Sequence, residues 1–161
     1  EVPSSPLAEA AARGDMTALR ALLASGKIDV NAPDRDGTPA LHWVTRVGDV
    51  ETAKRLVAAG ADVNAVNRAG VAPLHLAIQA GDAAMTRWLL EHGADVAKPN
   101  RAGEPPLMIA AHAGDRAVAK ALLDHGAAVD VRDATFGQTP LMGAVRDQRL
   151  EVAKLLLDSD R

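Results

Sequence analysis

Two histidines, His42 and His75, stand 33 apart in the sequence numbering, and each directly follows a leucine. An imidazole pair could bind a metal ion or transfer protons during catalysis. A step of this length, however, suggests neighbouring copies of one helix about 8–10 Å apart, too distant for two such imidazoles to share an ion. Methionines occupy the same place later in the chain, at Met108 and Met142. We therefore predict that both histidines are structural and hydrogen-bond to loop backbone, and we predict no metal site.

The three remaining histidines fall into two groups. His92 and His125 each precede a glycine that ends a predicted helix. A cation at that end suits the helix dipole, so we expect both to cap helices at the surface. His112 stands apart from these, on the inner face of a predicted helix, and is a candidate binding residue.

Acidic and hydroxyl side chains show no catalytic arrangement in the sequence. Four aspartates each follow a glycine at the start of a predicted helix, and helix capping explains all four. They therefore give no reason to infer a pair of catalytic carboxylates. They are Asp15, Asp49, Asp82 and Asp115. No serine stands with a histidine and an acid at motif spacing, and no glycine-rich phosphate loop occurs. The chain has no cysteine, which removes disulfides, zinc–thiolate sites and thiol catalysis. We predict that the chain is not an enzyme and uses no cofactor.

The residues that would position these side chains recur at a fixed step. Gly37, Gly70 and Gly103 stand 33 apart in the numbering, and Gly137 follows after 34. Leucines keep the same step, at Leu41, Leu74, Leu107 and Leu141. Within one copy, a proline opens a helix, a Gly-Asp pair separates it from the next helix, and a second glycine ends that helix. The repeating unit is therefore helix, short turn, helix and long loop.

The period and the run Pro73–Ala77, which reads Pro-Leu-His-Leu-Ala, resemble the ankyrin repeat. The resemblance covers nearly the whole chain, and its opening and last repeat are similar to those of bacterial ankyrin repeat proteins. It implies an all-α, right-handed, gently curved solenoid of five stacked helix-turn-helix repeats with β-hairpin-like loop fingers. The repeats are expected at about 6–36, 37–69, 70–102, 103–136 and 137–161, in one domain over residues 1–161.

Composition restricts the partners. The chain has 161 residues, of which 48% are hydrophobic, and this excludes a disordered chain. Its net charge is −3 and only 2% of its residues are aromatic, so it lacks the basic excess and the stacking side chains of nucleic-acid binders. No apolar run reaches membrane-spanning length. We expect neither nucleic acid nor membrane as a partner.

The resemblance implies non-catalytic recognition of a protein or peptide by a concave face made of loop tips and inner helices. The candidate residues on that face are Arg35, Asp36, Arg46, Arg68, Gln79, Arg101, Glu104, His112, Phe136 and Arg146. Phe136 is the only phenylalanine. It either contacts the partner or folds back over the final turn, and the sequence leaves both readings open.

Three arginines form a predicted ladder on the loop tips. Arg35, Arg68 and Arg101 each stand two positions before a loop glycine, so they recur at the same step as those glycines. Because guanidinium groups bind carboxylates in a bidentate manner, we predict an acidic peptide or protein surface as the partner. The alternative is that these arginines are solvated and that some pair with Asp36 or Glu104.

The chain begins at Glu1 without a methionine, so we expect that a leader, a tag or the rest of a larger protein is missing. Localisation stays open between the cytoplasm and export to the periplasm or the medium, and a monomer is expected. A second interpretation is a recognition or regulatory arm of a larger protein, attached to an enzyme outside this chain.

In either case Leu156, near the end, is expected to contribute less to stability than Leu89 in the middle of the array.

Overall fold

The computed structural model describes residues 4–159, and within this range the protein is all-α. Ten helices and no strand occur among these residues, and the helices form five helix-turn-helix pairs joined by long loops. The helices are α1 (Pro6–Ala12), α2 (Met16–Ala24), α3 (Ala40–Val47), α4 (Val50–Ala58), α5 (Pro73–Gln79), α6 (Ala83–Glu91), α7 (Pro106–Ala113), α8 (Arg116–Asp124), α9 (Pro140–Arg146) and α10 (Leu150–Ser159). The predicted all-α fold of five helix-turn-helix repeats is confirmed.

Local sequence signals account for the helix boundaries. The carboxylates of Asp15, Asp49 and Asp82 accept hydrogen bonds of 2.9–3.0 Å from the backbone three residues on, and Asp115 accepts two backbone bonds at the start of its helix. These bonds satisfy backbone N–H groups that have no partner inside the helix. Prolines occupy the first position of α5, α7 and α9, where a missing N–H costs nothing. The predicted capping role of the four aspartates is confirmed.

The chain divides into two compact units, one up to Leu76 and one from Ala77 onward. In the first unit, α1 packs on α3 and α2 packs on α4. In the second, α6 packs on α8, α7 on α9, and α8 on α10. Each core is aliphatic, with buried leucines such as Leu41 and Leu56 in the first unit and Leu89 and Leu122 in the second. A single domain over residues 1–161 stays a prediction.

An Asp or Asn residue at the same position of successive repeats closes each loop tip, and these residues together are called the Asp and Asn column. Each member hydrogen-bonds backbone N–H groups of its own tip, and the column is Asp34, Asn67, Asn100 and Asp133. A backbone bond from the same residue crosses the base of each tip, such as Asn100 N–H to Glu104 C=O at 3.0 Å. The tips are therefore hairpin-like turns rather than strands.

His42 and His75 are both buried, each 1% exposed. The His42 Nε2 lies 2.9 Å from the Val71 carbonyl oxygen, to which it donates. The His75 Nδ1 accepts a hydrogen bond of 3.1 Å from the Ala72 backbone N–H. The structural role predicted for both histidines is confirmed.

Acid is expected to weaken the fold through His42. Burial lowers the pKa of His42 below its usual 6.5, against the opposing effect of its hydrogen bond to the Val71 backbone. Its Nδ1 is buried and has no hydrogen-bond partner among the described residues, so a proton there would bury a charge. The unfolded chain regains the ordinary pKa. The stability that depends on the neutral ring is therefore complete above pH 6.5 and is lost as the pH falls toward the lowered pKa.

The matched variant is His42→Met, because Met108 occupies the equivalent position and is also buried. Urea unfolding at about pH 7.5 and about pH 5 should show a larger loss of stability for the wild type than for the variant. Equal losses in the two proteins would contradict this role of His42.

Gln148 is strained where earlier repeats carry glycine. Its φ is 58°, and no other non-glycine residue among the described positions has a positive φ. Gly81 and Gly114 adopt the same conformation at the equivalent positions, with φ of 67° and 78°. Gln148→Gly should raise the free energy of unfolding by about 1 kcal/mol because it removes the Cβ clash of this conformation. Gln148→Ala keeps that clash, so chemical denaturation should show almost no change for alanine.

Candidate functional site

A cavity of about 280 Å³ lies in the second unit, between two loop tips and the helices α7 and α9. Four predicted site residues line it: Glu104, His112, Phe136 and Arg146. Glu104 and Phe136 come from consecutive loop tips, whereas His112 and Arg146 come from consecutive inner helices. The cavity is thus lined by both kinds of element, loop tip and inner helix, that the resemblance to ankyrin repeats implies for binding.

The carboxylate of Asp133 holds the second of these tips in place. Its Oδ1 accepts from the backbone N–H groups of Thr135 and Phe136 at 2.8 and 2.6 Å, and its Oδ2 accepts from Gln138 at 2.9 Å. The bond from Phe136 is the main cause that lowers the pKa of Asp133, so this group is ionised at neutral pH. This tip contains one residue more than the others, which accounts for the step of 34 instead of 33 between Gly103 and Gly137.

Phe136 is exposed at this tip, with 78% of its surface accessible. Of the two readings left open by the sequence, folding back over the final turn is therefore wrong for the free chain. Its ring lies at the cavity and is available to a partner.

His112 and Arg146, which line the cavity, form a polar cluster with Asp147. The His112 Nδ1–H donates to Asp147 Oδ2 at 2.6 Å, and the Arg146 Nε–H donates to Asp147 Oδ1 at 3.0 Å. Arg146 also donates to the Gln138 side chain at 3.0 Å. The Arg146 hydrogen bond and then the His112 hydrogen bond lower the pKa of Asp147 from 3.8 to about 2. The Asp147 carboxylate is thus fixed and ionised across the physiological range.

A glycine makes room for the imidazole in this cluster. An added Cβ at Gly143 would lie 2.8 Å from His112 Cε1, closer than packed atoms allow. The equivalent residue one repeat earlier is Ile109, a large side chain. Gly143 therefore allows His112 to lie against α9 and to reach Asp147.

The other predicted site residues lie outside this cavity. In the first unit, Asp36, Arg46 and Arg68 are exposed, and the Arg46 guanidinium lies 5.8 Å from the centre of the Trp43 ring. Arg35 is also exposed and pairs with Glu9 at 3.5 Å, whereas the sequence suggested Asp36 or Glu104. In the second unit, Gln79 and Arg101 are exposed and do not line the cavity. A role in binding for these residues stays a prediction.

Sequence reasoning missed two residues that shape the site, Asp133 and Gly143. Asp133 could have been found, because Asp or Asn recurs at the repeat step from Asp34 onward. Gly143 marks no turn and does not recur at the repeat step, so no signal in a single sequence identifies it.

Between residues 4 and 159, no group of three or more His, Cys, Asp or Glu side chains is placed to hold a metal ion. No helix of this part of the chain is long and apolar enough to cross a membrane.

Comparison with known proteins places the chain in a family. A family model described as "Ankyrin repeats (3 copies)" matches residues 7–100 and 74–161. A curated relative, Palmitoyltransferase akr1 of Schizosaccharomyces pombe, is 40% identical over 52 residues. That match covers 32% of this chain and 8% of the relative, so the chain spans a small part of the relative's length. A special similarity to bacterial members stays a prediction. Because the family model spans nearly the whole sequence, this chain belongs to the ankyrin repeat family.

Proposed function

We propose that this chain recognises a protein or peptide through its loop tips and the concave face of its inner helices. Ankyrin repeats are generally protein–protein interaction modules and are typically non-catalytic. In the second unit, the proposed contact is the cavity beside Phe136. The single observation that carries this proposal is the exposed Phe136 ring next to polar groups that are already fixed by hydrogen bonds.

An exposed aromatic side chain beside a cavity has the character of an interface hot spot. Aromatic residues contribute much of the binding energy in protein interfaces because a partner can remove a large apolar area from water. The polar neighbours of Phe136 need little rearrangement, since Asp133 and Asp147 already hold their donors. Binding would therefore gain the burial of Phe136 without breaking these bonds.

The exposed loop arginines extend the proposal to acidic groups on the partner. Arg35 and Arg68 lie on tips of the first unit, and Arg101 lies on a tip of the second. Each can bind a carboxylate in a bidentate manner, although exposed ion pairs contribute little individually. The test compares the wild type with a variant that carries alanine at all three positions. Unchanged salt dependence of partner binding in this variant would contradict the role proposed for the arginines.

A second proposal is that the chain is the recognition arm of a larger protein. The match to a small segment of a palmitoyltransferase supports this proposal, because there a sequence like this one occurs within a much longer chain. The complete reading frame of the gene tests it directly. A frame that ends within a few residues of this sequence on both sides would contradict it.

Phe136→Ala should weaken partner binding by about tenfold or more, as expected for an interface hot spot. Proteins captured from a source lysate by the wild-type chain are first identified, and the dissociation constant of one of them is then measured by calorimetry. Leu150→Ala is the control, because Leu150 is also an exposed apolar residue of the second unit, at 69% accessibility, and lies outside the cavity. Equal affinity of the wild type and Phe136→Ala would contradict the proposed contact.

A further inference from the structure

We infer that the cavity beside Phe136 receives a basic side chain, lysine or arginine, from the partner protein. This inference rests on the proposed function and specifies the chemistry of the partner at that site. Three features of the cavity carry it: its excess of negative charge, its size and its exposed aromatic ring.

The cavity and its wall carry more negative than positive charge. Glu104 and Asp133 line the cavity, and Asp147 is bonded to two other lining residues, His112 and Arg146. Arg146 is the cation of this group, and it forms its ion pair with Asp147. Within residues 4–159, no ion pair joins a cation to Glu104 or Asp133. Three carboxylates and one guanidinium leave an excess of two negative charges, which favours a cation in the cleft.

The charge of Arg146 is already paired with a carboxylate of this chain. Its Nε–H is bonded to Asp147 and one terminal N–H is bonded to Gln138, both at 3.0 Å. An acidic side chain in the cavity would compete with Asp147 for Arg146 and would also face Glu104 and Asp133. The acidic groups proposed for the loop arginines are therefore not suited to this cavity, and the partner surface should carry both signs of charge.

The size and the aromatic ring favour a single long side chain. A volume of about 280 Å³ lies below the range of roughly 300–1,000 Å³ that holds drug-sized ligands. A lysine or arginine can extend its methylene groups along Met108 and Phe136 while its charged end reaches the carboxylates. The face of the Phe136 ring attracts a cation as well.

The test uses short Gly/Ser peptides that carry one central lysine, arginine, glutamate or norleucine. Binding is followed by NMR through the backbone amides of Thr135, Phe136 and Gln138 in the full chain. Lysine and arginine peptides should bind about fivefold more tightly than the norleucine peptide, and added salt should reduce the difference. The glutamate peptide should bind more weakly than norleucine.

Two variants and one control assign this preference to the cavity. Glu104→Gln keeps an oxygen for the Asn100 side chain, which now donates to Glu104 at 2.8 Å, and removes only the charge. It should weaken the lysine peptide by about threefold and leave norleucine unchanged. Phe136→Leu should reduce the preference for the cation in the same way. Glu151→Gln makes the same change of charge on α10, outside the cavity, and should have no effect.

Equal or stronger binding of the glutamate or norleucine peptide would overturn the inference. It would leave the proposed function in place, because the calorimetric comparison of Phe136→Ala does not depend on the charge of the ligand. The absence of any shift at the three amides with the lysine and arginine peptides would overturn the inference as well.

Discussion

Replacing Leu89 with alanine is expected to lower the free energy of unfolding by about 2–5 kcal/mol. Leu89 is completely buried, in α6, which packs on α8 within the second unit. Truncation removes the transfer free energy of the side chain and leaves a cavity that the packed helices can close only in part. Urea unfolding followed by circular dichroism measures the loss.

Leu157→Ala is the matched control for Leu89→Ala. Leu157 belongs to α10 of the same unit and is 53% exposed, so its loss should cost less than about 1 kcal/mol. Similar losses for the two variants would show that burial in the helix stack does not determine stability here.

The second large effect is expected from Gly103→Ala, at a loop tip of the second unit. The φ of Gly103 is 78°, and an added Cβ would lie only 2.6 Å from the Ala134 Cβ. The tip cannot simply move away, because the Gly103 carbonyl oxygen accepts a 3.1 Å hydrogen bond from the Ala134 N–H. Left-handed strain and steric overlap together should cost about 2–4 kcal/mol.

Gly137→Ala separates these two contributions. Gly137 has a similar φ of 64°, but an added Cβ would find no atom within 4 Å. This variant should show the left-handed strain alone, about 1–2 kcal/mol, in the same thermal or urea unfolding experiment. If Gly137→Ala costs as much as Gly103→Ala, close packing against Ala134 does not contribute.

The features that could be predicted from the sequence are those that repeat or act locally. Asp82 caps α6 through a bond to Met85 only three residues away, so residue type and position were sufficient to predict it. The helix pairs follow from glycines and leucines that recur at one step. Trp88 of α6 is buried, whereas Trp43 of α3 is half-buried and donates to Asp34 at 2.8 Å, a contact that no spacing rule indicates.

The features that could not be predicted depend on contacts between distant residues. His112 and Asp147 are 35 residues apart and belong to different repeats, so their hydrogen bond required the three-dimensional structure. The pairing of Arg35 with Glu9 has the same origin. Leu156 is 1% exposed because α10 packs on α8, a degree of burial that its place near the end of the sequence does not indicate. A smaller contribution of Leu156 than of Leu89 to stability stays a prediction.

The Asp and Asn column has a consequence for the thermodynamics of recognition. Each tip is closed by bonds between one side chain and its own backbone, so its conformation exists before any partner arrives. A partner then has to restrict side-chain rotamers but not loop backbone, and backbone restriction would cost about 1–2 kcal/mol for each residue ordered. The tip residues between these bonds, such as Arg68 and Ala69, can therefore change identity without altering the shape that presents them.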